Sequence, residues 1–142
     1  MKALSAGLII ECPSGYLMCH PTGRSEKQGN WDIPKGHVEG NDRTYLEACL
    51  RELKEETGIV LQTQAQTHIR TIGLTPYNQK KDLYLFFIQL PYDIDAKSLV
   101  CKSTFELNGK QIPEMDGYML CRDISYLFPN LQKVFVNVLN LN

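Results

Sequence analysis

The segment GHVEGNDRTYLEACLRELKEETGIV, from Gly36 to Val60, combines helix start and stop signals with six acidic residues. Thr44 and Glu47 fit a capping box, in which the threonine hydroxyl caps the helix and the glutamate reaches back to it. Apolar side chains then recur at three- and four-residue spacing: Leu46, Cys49, Leu50 and Leu53. Gly58 follows where a glycine commonly ends a helix. The segment therefore predicts an amphipathic helix between Thr44 and Gly58.

Three glutamates share the helix face that points away from the leucines. Glu52 lies three residues before Glu55 and four before Glu56, and side chains at these spacings are neighbours on a helix. Like charges placed this way destabilise a helix, whereas a cation bound among them would stabilise it. Carboxylate oxygens suit Mg²⁺, Mn²⁺ or Ca²⁺ better than zinc. The alternative is an acidic helix face that is simply solvated.

Composition narrows the function classes. The chain has 142 residues with a formal net charge of -1, which gives no broad attraction to nucleic acid or to a membrane surface. We expect one domain over residues 1–142.

No apolar run approaches the roughly 18 residues of a membrane span, and the run after Lys2 is too brief for a signal peptide. The five cysteines form no CxxC pair, which argues against a zinc site or disulfide framework and indicates a reducing, cytoplasmic setting.

The rest of the chain alternates strand-like segments with turn signals. We predict strands over 3–10, 16–20, 59–75, 81–90 and 114–121, and an extended stretch over 31–38. Residues 21–30 are polar and predict a loop, whereas 129–141 predicts an amphipathic helix. Its candidate apolar side chains are Leu131, Val134, Val136 and either Val138 or Leu139. Mixed strands with two helices indicate an α/β (α+β) fold.

The acidic helix resembles part of the Nudix hydrolase motif. That motif is a glycine, five residues, a glutamate, seven residues, then Arg-Glu-apolar-x-Glu-Glu-x-Gly-apolar. Gly36 opens it, and the stretch 51–59 matches every specified position of its second half. The resemblance implies an α/β/α sandwich with a mixed β-sheet.

One extra residue interrupts the motif. Five residues separate Gly36 from Asp42, but eight separate Asp42 from Arg51, and counting back from Arg51 puts Arg43 in the glutamate position. Thr44 begins the helix where helices of the family commonly begin. We therefore expect the extra residue in the loop ahead of Thr44 and an intact helix register. Three acids remain candidates for the ion pair with Arg51: Asp42, Glu39 and Glu47.

The resemblance also implies chemistry, because Nudix enzymes use divalent metal to hydrolyse a nucleoside diphosphate linked to another group. It implies Mg²⁺, with Mn²⁺ as a substitute, and a catalytic set of Glu52, Glu56 and Arg51. One of the two glutamates is the expected general base, and Arg51 is expected to orient neighbouring acids. The implied metal ligands are the carbonyl of Gly36 and the carboxylates of Glu52, Glu55, Glu56 and Glu114. Glu106 is the runner-up to Glu114.

Candidate substrate contacts lie outside the motif's glutamates. Lys35 is the first candidate for a phosphate contact, ahead of Arg24 and Lys27 in the polar loop. Tyr77, in a turn, and Tyr118 are the candidates for stacking on a nucleobase.

The stretch WDIPKGHVE, residues 31–39, resembles the one that leads into the motif in dinucleoside polyphosphate hydrolases of the family. The implied activity is hydrolysis of a phosphoanhydride bond in a dinucleoside polyphosphate or a (d)NTP. The alternatives are removal of pyrophosphate from an RNA 5′ end and a sensor that binds a nucleotide without cleaving it. The complete glutamate set favours an enzyme. The expected partner is a small nucleotide, bound by a monomer or homodimer.

Overall fold

The strand β1 (Ala3–Cys12) is central in the computed structural model, which describes residues 2–141. Its side chains are buried on both faces of the sheet: Ala6, Leu8 and Ile10 face one hydrophobic core, and Ile9 faces a second. Burial on both sides explains why β1 is almost continuously apolar instead of alternating with polar residues.

The main sheet has six strands in mixed orientation. The other five strands are β2 (Gly15–Pro21), β3 (Lys35–His37), β4 (Arg70–Pro76), β5 (Lys81–Gln89) and β8 (Met115–Cys121). Their order is β4-β5-β1-β2-β8, with β3 paired to β1. Only the β1–β5 pair is parallel among the strands described. Along its other edge β1 pairs with two strands: its first half pairs with β3 and its end pairs with β2.

Two helices cover the sheet on opposite faces. Helix α1 (Tyr45–Thr57) packs on one core and α3 (Pro129–Leu139) on the other, which confirms the α/β/α sandwich with a mixed sheet. A two-stranded hairpin of β6 (Thr104–Leu107) and β7 (Lys110–Pro113) lies outside the main sheet. Within residues 2–141, none of the helices combines the length and the apolar character needed to cross a membrane.

Both ends of α1 are confirmed, although only one half of the predicted capping box forms: within residues 2–141 no hydrogen bond joins the Glu47 carboxylate to Thr44. The Thr44 hydroxyl accepts a hydrogen bond from the backbone N–H of Glu47 at 3.0 Å. Gly58 ends the helix with φ of 79°, a left-handed conformation that glycine adopts without strain, and its N–H donates to the Lys54 carbonyl. These local contacts fix where the acidic face begins and ends.

Two expectations are wrong. The predicted strand over 59–75 begins only at Arg70, and a short helix α2 (Thr63–Gln66) precedes it. The sequence QTQAQT offers no alternating apolar face to bury, so a helical turn forms instead.

In α3, Val136 is 41% exposed, whereas Phe135 is fully buried. Counting from Leu131, the helical spacing of three, four and seven residues selects 134, 135 and 138, not 136.

The Thr44 cap yields the first prediction. We expect Thr44→Ala to lower the free energy of unfolding by about 1 kcal/mol, because one amide of the first helical turn loses its acceptor. Thermal unfolding should show a midpoint about 2–4 °C lower. Thr63→Ala, at an exposed position in α2, is the matched control. An unchanged midpoint in Thr44→Ala would show that the cap contributes nothing measurable.

Candidate active site

A cavity of about 580 Å³ opens where β3, the second half of α1 and the start of β8 meet. We call it the acidic pocket. Its lining includes every residue that the sequence predicted as a metal ligand: Gly36, Glu52, Glu55, Glu56 and Glu114. The fold therefore brings together residues that are up to 78 positions apart in the chain.

Gly36 allows α1 to approach β3 at the pocket floor. A Cβ atom at this position would lie 2.0 Å from a carboxylate oxygen of Glu52, a distance that real Cβ atoms do not show. The Glu52 carboxylate therefore occupies the space that any other side chain at 36 would fill. A larger side chain at 36 would displace this carboxylate, and the glycine is not needed for its conformation, since its φ lies outside the left-handed region.

The Arg51 guanidinium joins α1 to the two segments that precede it. Its Nε donates to Oδ1 of Asp42 at 3.0 Å and its Nη2 donates to Oδ2 at 2.9 Å. The same Nη2 donates to the His37 carbonyl of β3 at 2.9 Å. The Asp42 carboxylate also accepts from the backbone N–H of Glu39 at 2.8 Å. The hydrogen bond from Arg51 lowers the pKa of Asp42, so this acid stays ionised.

These contacts identify Asp42 as the acid that pairs with Arg51. Glu39 is exposed and its nearest oxygen is 3.7 Å from the guanidinium, and the exposed Glu47 carboxylate forms no ion pair with Arg51 within residues 2–141. The extra residue of the motif therefore lies between Asp42 and Thr44, where Arg43 is exposed. Asp42 therefore takes the place of the motif's glutamate. Its side chain is shorter, and it lies one residue earlier in the chain than the glutamate position at 43.

Arg51 also holds two of the clustered glutamates. Its Nη1 donates to Oε1 of Glu52 at 2.9 Å and to both carboxylate oxygens of Glu55 at 3.3 Å. These charge-assisted bonds offset part of the repulsion that the three glutamates exert on one another. Glu56 lies beyond their reach and is stabilised differently.

Glu56 is the most deeply buried acid of the pocket, with 3% of its surface exposed. Its Oε1 accepts from the backbone N–H of Lys35 at 3.1 Å. Burial, followed by the charge of Asp32, raises the pKa of Glu56 to about 9. Burial also raises the pKa of Glu52, even though the hydrogen bond from Arg51 opposes the change. Both carboxylates therefore lack enough positive charge nearby.

This shortage of positive charge fits a divalent metal ion. The donors are carboxylate and carbonyl oxygens, the ligands that Mg²⁺ and Mn²⁺ prefer. Among residues 2–141 no three acidic, histidine or cysteine side chains already enclose a metal position. Arg51 donates to Glu52 and Glu55, and the Lys35 amide donates to Glu56, so the donor set fits a metal once the carboxylates exchange these bonds for it.

The structure separates the two later acids. Glu114 lies at the start of β8, where its backbone N–H donates to the Ser103 carbonyl and its own carbonyl accepts from Thr22. Its side chain lines the acidic pocket, and its charge contributes to the raised pKa of Glu52. Glu106 lies on the exposed hairpin strand β6 and does not line the pocket.

Lys35 forms an ion pair that sequence reasoning missed. Its Nζ lies 3.0 Å from Oδ2 of Asp32, and both side chains are nearly buried. Burial lowers the pKa of Lys35, but the charge and hydrogen bond of Asp32 outweigh it and raise the pKa overall. A phosphate contact through Lys35 would have to compete with this pair, and it stays a prediction. The single acid in the apolar stretch WDIP was the available signal for Asp32.

The two tyrosines lie in different surroundings. The Tyr118 hydroxyl donates to the Glu56 carbonyl and its ring packs on the core beneath α1, so it anchors the helix. Tyr77 is half-buried, with its ring 5.8 Å from the Lys35 ammonium, and it lines a cavity beside the acidic pocket. Arg24 lines both cavities, whereas Lys27 lines a separate surface depression. Stacking on a nucleobase stays a prediction for both tyrosines.

A buried histidine fastens the loop that carries Arg24. His20 is 3% exposed; its Nδ1 contacts the Asp116 carboxylate and its Nε2 lies 3.1 Å from the Ser25 carbonyl. Both partners are acceptors, so both ring nitrogens donate and the imidazole carries a positive charge. Burial lowers the pKa of His20, but the bonds to Asp116 and Ser25 raise it above its ordinary value overall.

This arrangement predicts a pH-dependent stability. A raised histidine pKa stabilises the fold fully below the ordinary pKa of about 6.5, and the stabilisation is lost as the pH rises through the raised value. We expect the unfolding free energy of the wild type to exceed that of His20→Gln more at pH 6 than at pH 9. The exposed His68→Gln is the matched control. A difference that is constant over this range would contradict a charged His20.

Comparison with known proteins agrees with the site. A family profile of the NUDIX domain matches residues 1–120. A protein of Enterobacteria phage T4, described as an uncharacterized 17.7 kDa protein in the e-segB intergenic region, is 34% identical over 147 residues, covering 97% of this chain and 96% of that protein. An RNA pyrophosphohydrolase of Marinomonas sp. (strain MWYL1) is 30% identical over 141 residues, covering 88% and 76%.

The fold agrees as well. The NUDIX domain of Shewanella oneidensis NrtR, solved with ADP ribose, superimposes with a TM-score of 0.66 over 100% of this chain and 90% of that one, at 13% identity. At this identity the likeness concerns the fold alone. The family profile matches most of the chain, the sandwich has the same architecture, and the acidic pocket lies at the expected place. The chain therefore belongs to the Nudix hydrolase family.

Proposed function

We propose that this protein hydrolyses a phosphoanhydride bond in a nucleoside diphosphate-linked substrate with the help of Mg²⁺. The favoured substrates are a dinucleoside polyphosphate or a (d)NTP. The observation that carries the proposal is the pair of buried carboxylates, Glu52 and Glu56, which share one pocket with Gly36 and whose pKa values are raised by burial. A stable fold has no need for this arrangement, because burying ionisable carboxyl groups costs free energy.

Metal binding would use the oxygens that converge on the acidic pocket. Glu52, Glu55 and Glu56 would supply carboxylates from α1, the Gly36 carbonyl would contribute from β3, and Glu114 would contribute from β8. A divalent ion held there would supply positive charge against the phosphates and would lower the pKa of a bound water molecule. Mn²⁺ has similar ligand preferences and would substitute.

The remaining residues position these groups. Arg51, held by both oxygens of Asp42, fixes Glu52 and Glu55 on the pocket side of α1. The N–H of Lys35 donates to Glu56 and fixes one of its oxygens, which leaves the other to face the pocket or a water molecule. The general base is one of Glu52 and Glu56, the two acids with raised pKa values. Arg24 and Lys81 also line the pocket and are cations available for a phosphate.

A second candidate is removal of pyrophosphate from an RNA 5′ end. It is favoured by the RNA pyrophosphohydrolase of Marinomonas, which is 30% identical across most of this chain. The formal net charge of -1 offers no extended attraction to a long RNA backbone, although a 5′ end needs few contacts. The third reading, a sensor without turnover, is disfavoured because all three glutamates of the motif are present.

A nucleotide panel with Mg²⁺ tests the activity. We expect the wild type to hydrolyse at least one dinucleoside polyphosphate or nucleoside triphosphate, and Glu56→Gln to lower kcat/KM by about 100-fold or more, since a ligand of the metal loses its charge. Glu47→Gln, an exposed glutamate of the same helix, is the control. Mass analysis of the products identifies the cleaved bond, and 5′-triphosphorylated RNA belongs in the panel. Full activity in Glu56→Gln would remove Glu56 from the ligand set, and nucleotide binding without turnover would favour the sensor.

The interrupted motif gives a further prediction. Asp42→Asn should lower activity by about 10- to 100-fold, as is typical when a group that orients metal ligands is replaced. Arg43→Ala should leave activity unchanged, because Arg43 is exposed and only the alternative alignment gives it a role. Steady-state kinetics of both variants, each checked by thermal unfolding, decide between the two alignments. Loss of activity in Arg43→Ala alone would contradict the pairing of Asp42 with Arg51.

A further inference from the structure

A nearly buried ion pair lines the acidic pocket beside the carboxylates that would hold a metal ion. The two oxygens of Asp32 have different partners. Oδ1 accepts from the backbone N–H of Ile33 at 2.8 Å, and Oδ2 accepts from Nζ of Lys35 at 3.0 Å. Within residues 2–141 the Lys35 ammonium has no other hydrogen-bond acceptor. Asp32 is therefore the counterion of a lysine that lies next to the candidate metal ligands.

The backbone fixes the position of Asp32. Its N–H donates to the Cys19 carbonyl and its own carbonyl accepts from the Cys19 N–H, each at 2.8 Å. These two bonds attach residue 32 to strand β2. Lys35, in contrast, carries its ammonium on a flexible chain of four carbons. Of the two partners, Asp32 is thus the one that determines where the ion pair lies.

The Glu56 carboxylate lies within reach of the same ammonium. The backbone N–H of Lys35 donates to Oε1 of Glu56 at 3.1 Å, so the lysine side chain starts beside this carboxylate. Burial has the largest effect on the pKa of Glu56 and raises it; the charge of Asp32 raises it further, whereas the charge of Lys35 lowers it. A buried ammonium without a counterion is costly. Glu56 is the carboxylate to which Lys35 would turn if Asp32 were absent, because it is already bonded to the backbone of this lysine.

We propose that Asp32 is a positioning residue, which holds the Lys35 ammonium away from Glu56 and so keeps the Glu56 carboxylate available for a metal ion. The inference rests on the proposed function for the metal. An ammonium and a divalent ion compete for the same carboxylate oxygens, since both are attracted to their negative charge. Without Asp32, the metal would have to break an ion pair between Lys35 and Glu56. Asp32 acts through Lys35, and this role requires no contact between Asp32 and the metal or the substrate.

Calorimetric titration with Mn²⁺, without any nucleotide, tests this role in two backgrounds. In the wild type we expect Asp32→Asn to weaken Mn²⁺ binding by about 10- to 100-fold, as is usual when a residue that supports a metal ligand is replaced. In a protein that carries Lys35→Met, the backbone N–H for Glu56 is kept and the competing ammonium is removed. There Asp32→Asn should change the affinity by less than about twofold, because its effect requires Lys35.

A loss of the same size in both backgrounds would overturn the proposal, since Asp32 would then act by its own charge or by shaping β3. Glu11→Gln is the matched control, because Glu11 forms an ion pair with Arg122 and does not line the acidic pocket. Thermal unfolding verifies that each variant folds. If Lys35→Met does not fold because Asp32 is left unpaired, the double variant Asp32→Asn/Lys35→Met, which lacks both charges, should bind Mn²⁺ more tightly than Asp32→Asn.

A crystal structure of metal-free Asp32→Asn supplies a second readout, which does not depend on metal binding. We expect Nζ of Lys35 to lie within about 3.2 Å of a carboxylate oxygen of Glu56. An ammonium that stays where it lies in the wild type would overturn the proposal. If the wild type binds no Mn²⁺, the metal of the proposed function is rejected, and the position of Nζ in this structure still decides whether Asp32 holds Lys35 away from Glu56.

Discussion

The Arg51 guanidinium is the contact on which the rest of the site depends. It joins Asp42 in the loop, the His37 carbonyl of β3 and the glutamates of α1, and so connects three consecutive segments of the chain. The hydrogen bonds that Arg51 donates to Asp42 raise the pKa of Arg51 further above an already high value, and it stays charged at any pH the fold survives. An acidic helix face that would otherwise repel itself therefore has a permanent counterion. Arg51 reaches Glu52 and Glu55 but not Glu56, which leaves a shortage of positive charge where a metal ion would bind.

The sheet creates the space in which this network forms. Strand β1 pairs with β3 near its start and with β2 near its end, along the same edge. The loop 21–30 connects these two neighbours of β1 outside the sheet. Close approach is required at Gly7, where a Cβ would lie 2.9 Å from the Cβ of Lys35, and at Gly36 the absence of a side chain leaves room for the Glu52 carboxylate. These two glycines let β3 lie against both β1 and α1. The short strand thereby contacts the sheet on one side and the acidic helix α1 on the other.

Local signals in the sequence were sufficient for part of this description. The cap at Thr44, the stop at Gly58 and the glutamate spacing depend on neighbours within one or two helical turns, and all three have the predicted geometry. The partner of Arg51 was not predictable, since spacing alone does not say on which side of Asp42 the extra residue is accommodated. The polar segment 62–67 lacks any periodic pattern, and the prediction of a strand there was wrong.

Contacts between distant segments were beyond local reasoning. Lys35 was expected near phosphate because it precedes the motif, but its environment is set by Asp32 and by Tyr77, which comes from the β4–β5 turn. His20 and Asp116 are 96 residues apart and meet only because β2 and β8 are neighbours. Phe128 acquires its place beside Arg24 through the position of α3 on the sheet. Pairings of this kind become visible only when the order of the strands is known.

The carboxylates of the acidic pocket set an order of events for the proposed function. Glu52, Glu55 and Glu56 line the same space and would repel phosphate until a cation is bound. Under the proposed function, the metal that permits phosphate binding would also be the one that permits hydrolysis. Metal binding and turnover would then share one requirement, so the phosphates of a substrate would not be held in the pocket in a state that cannot react.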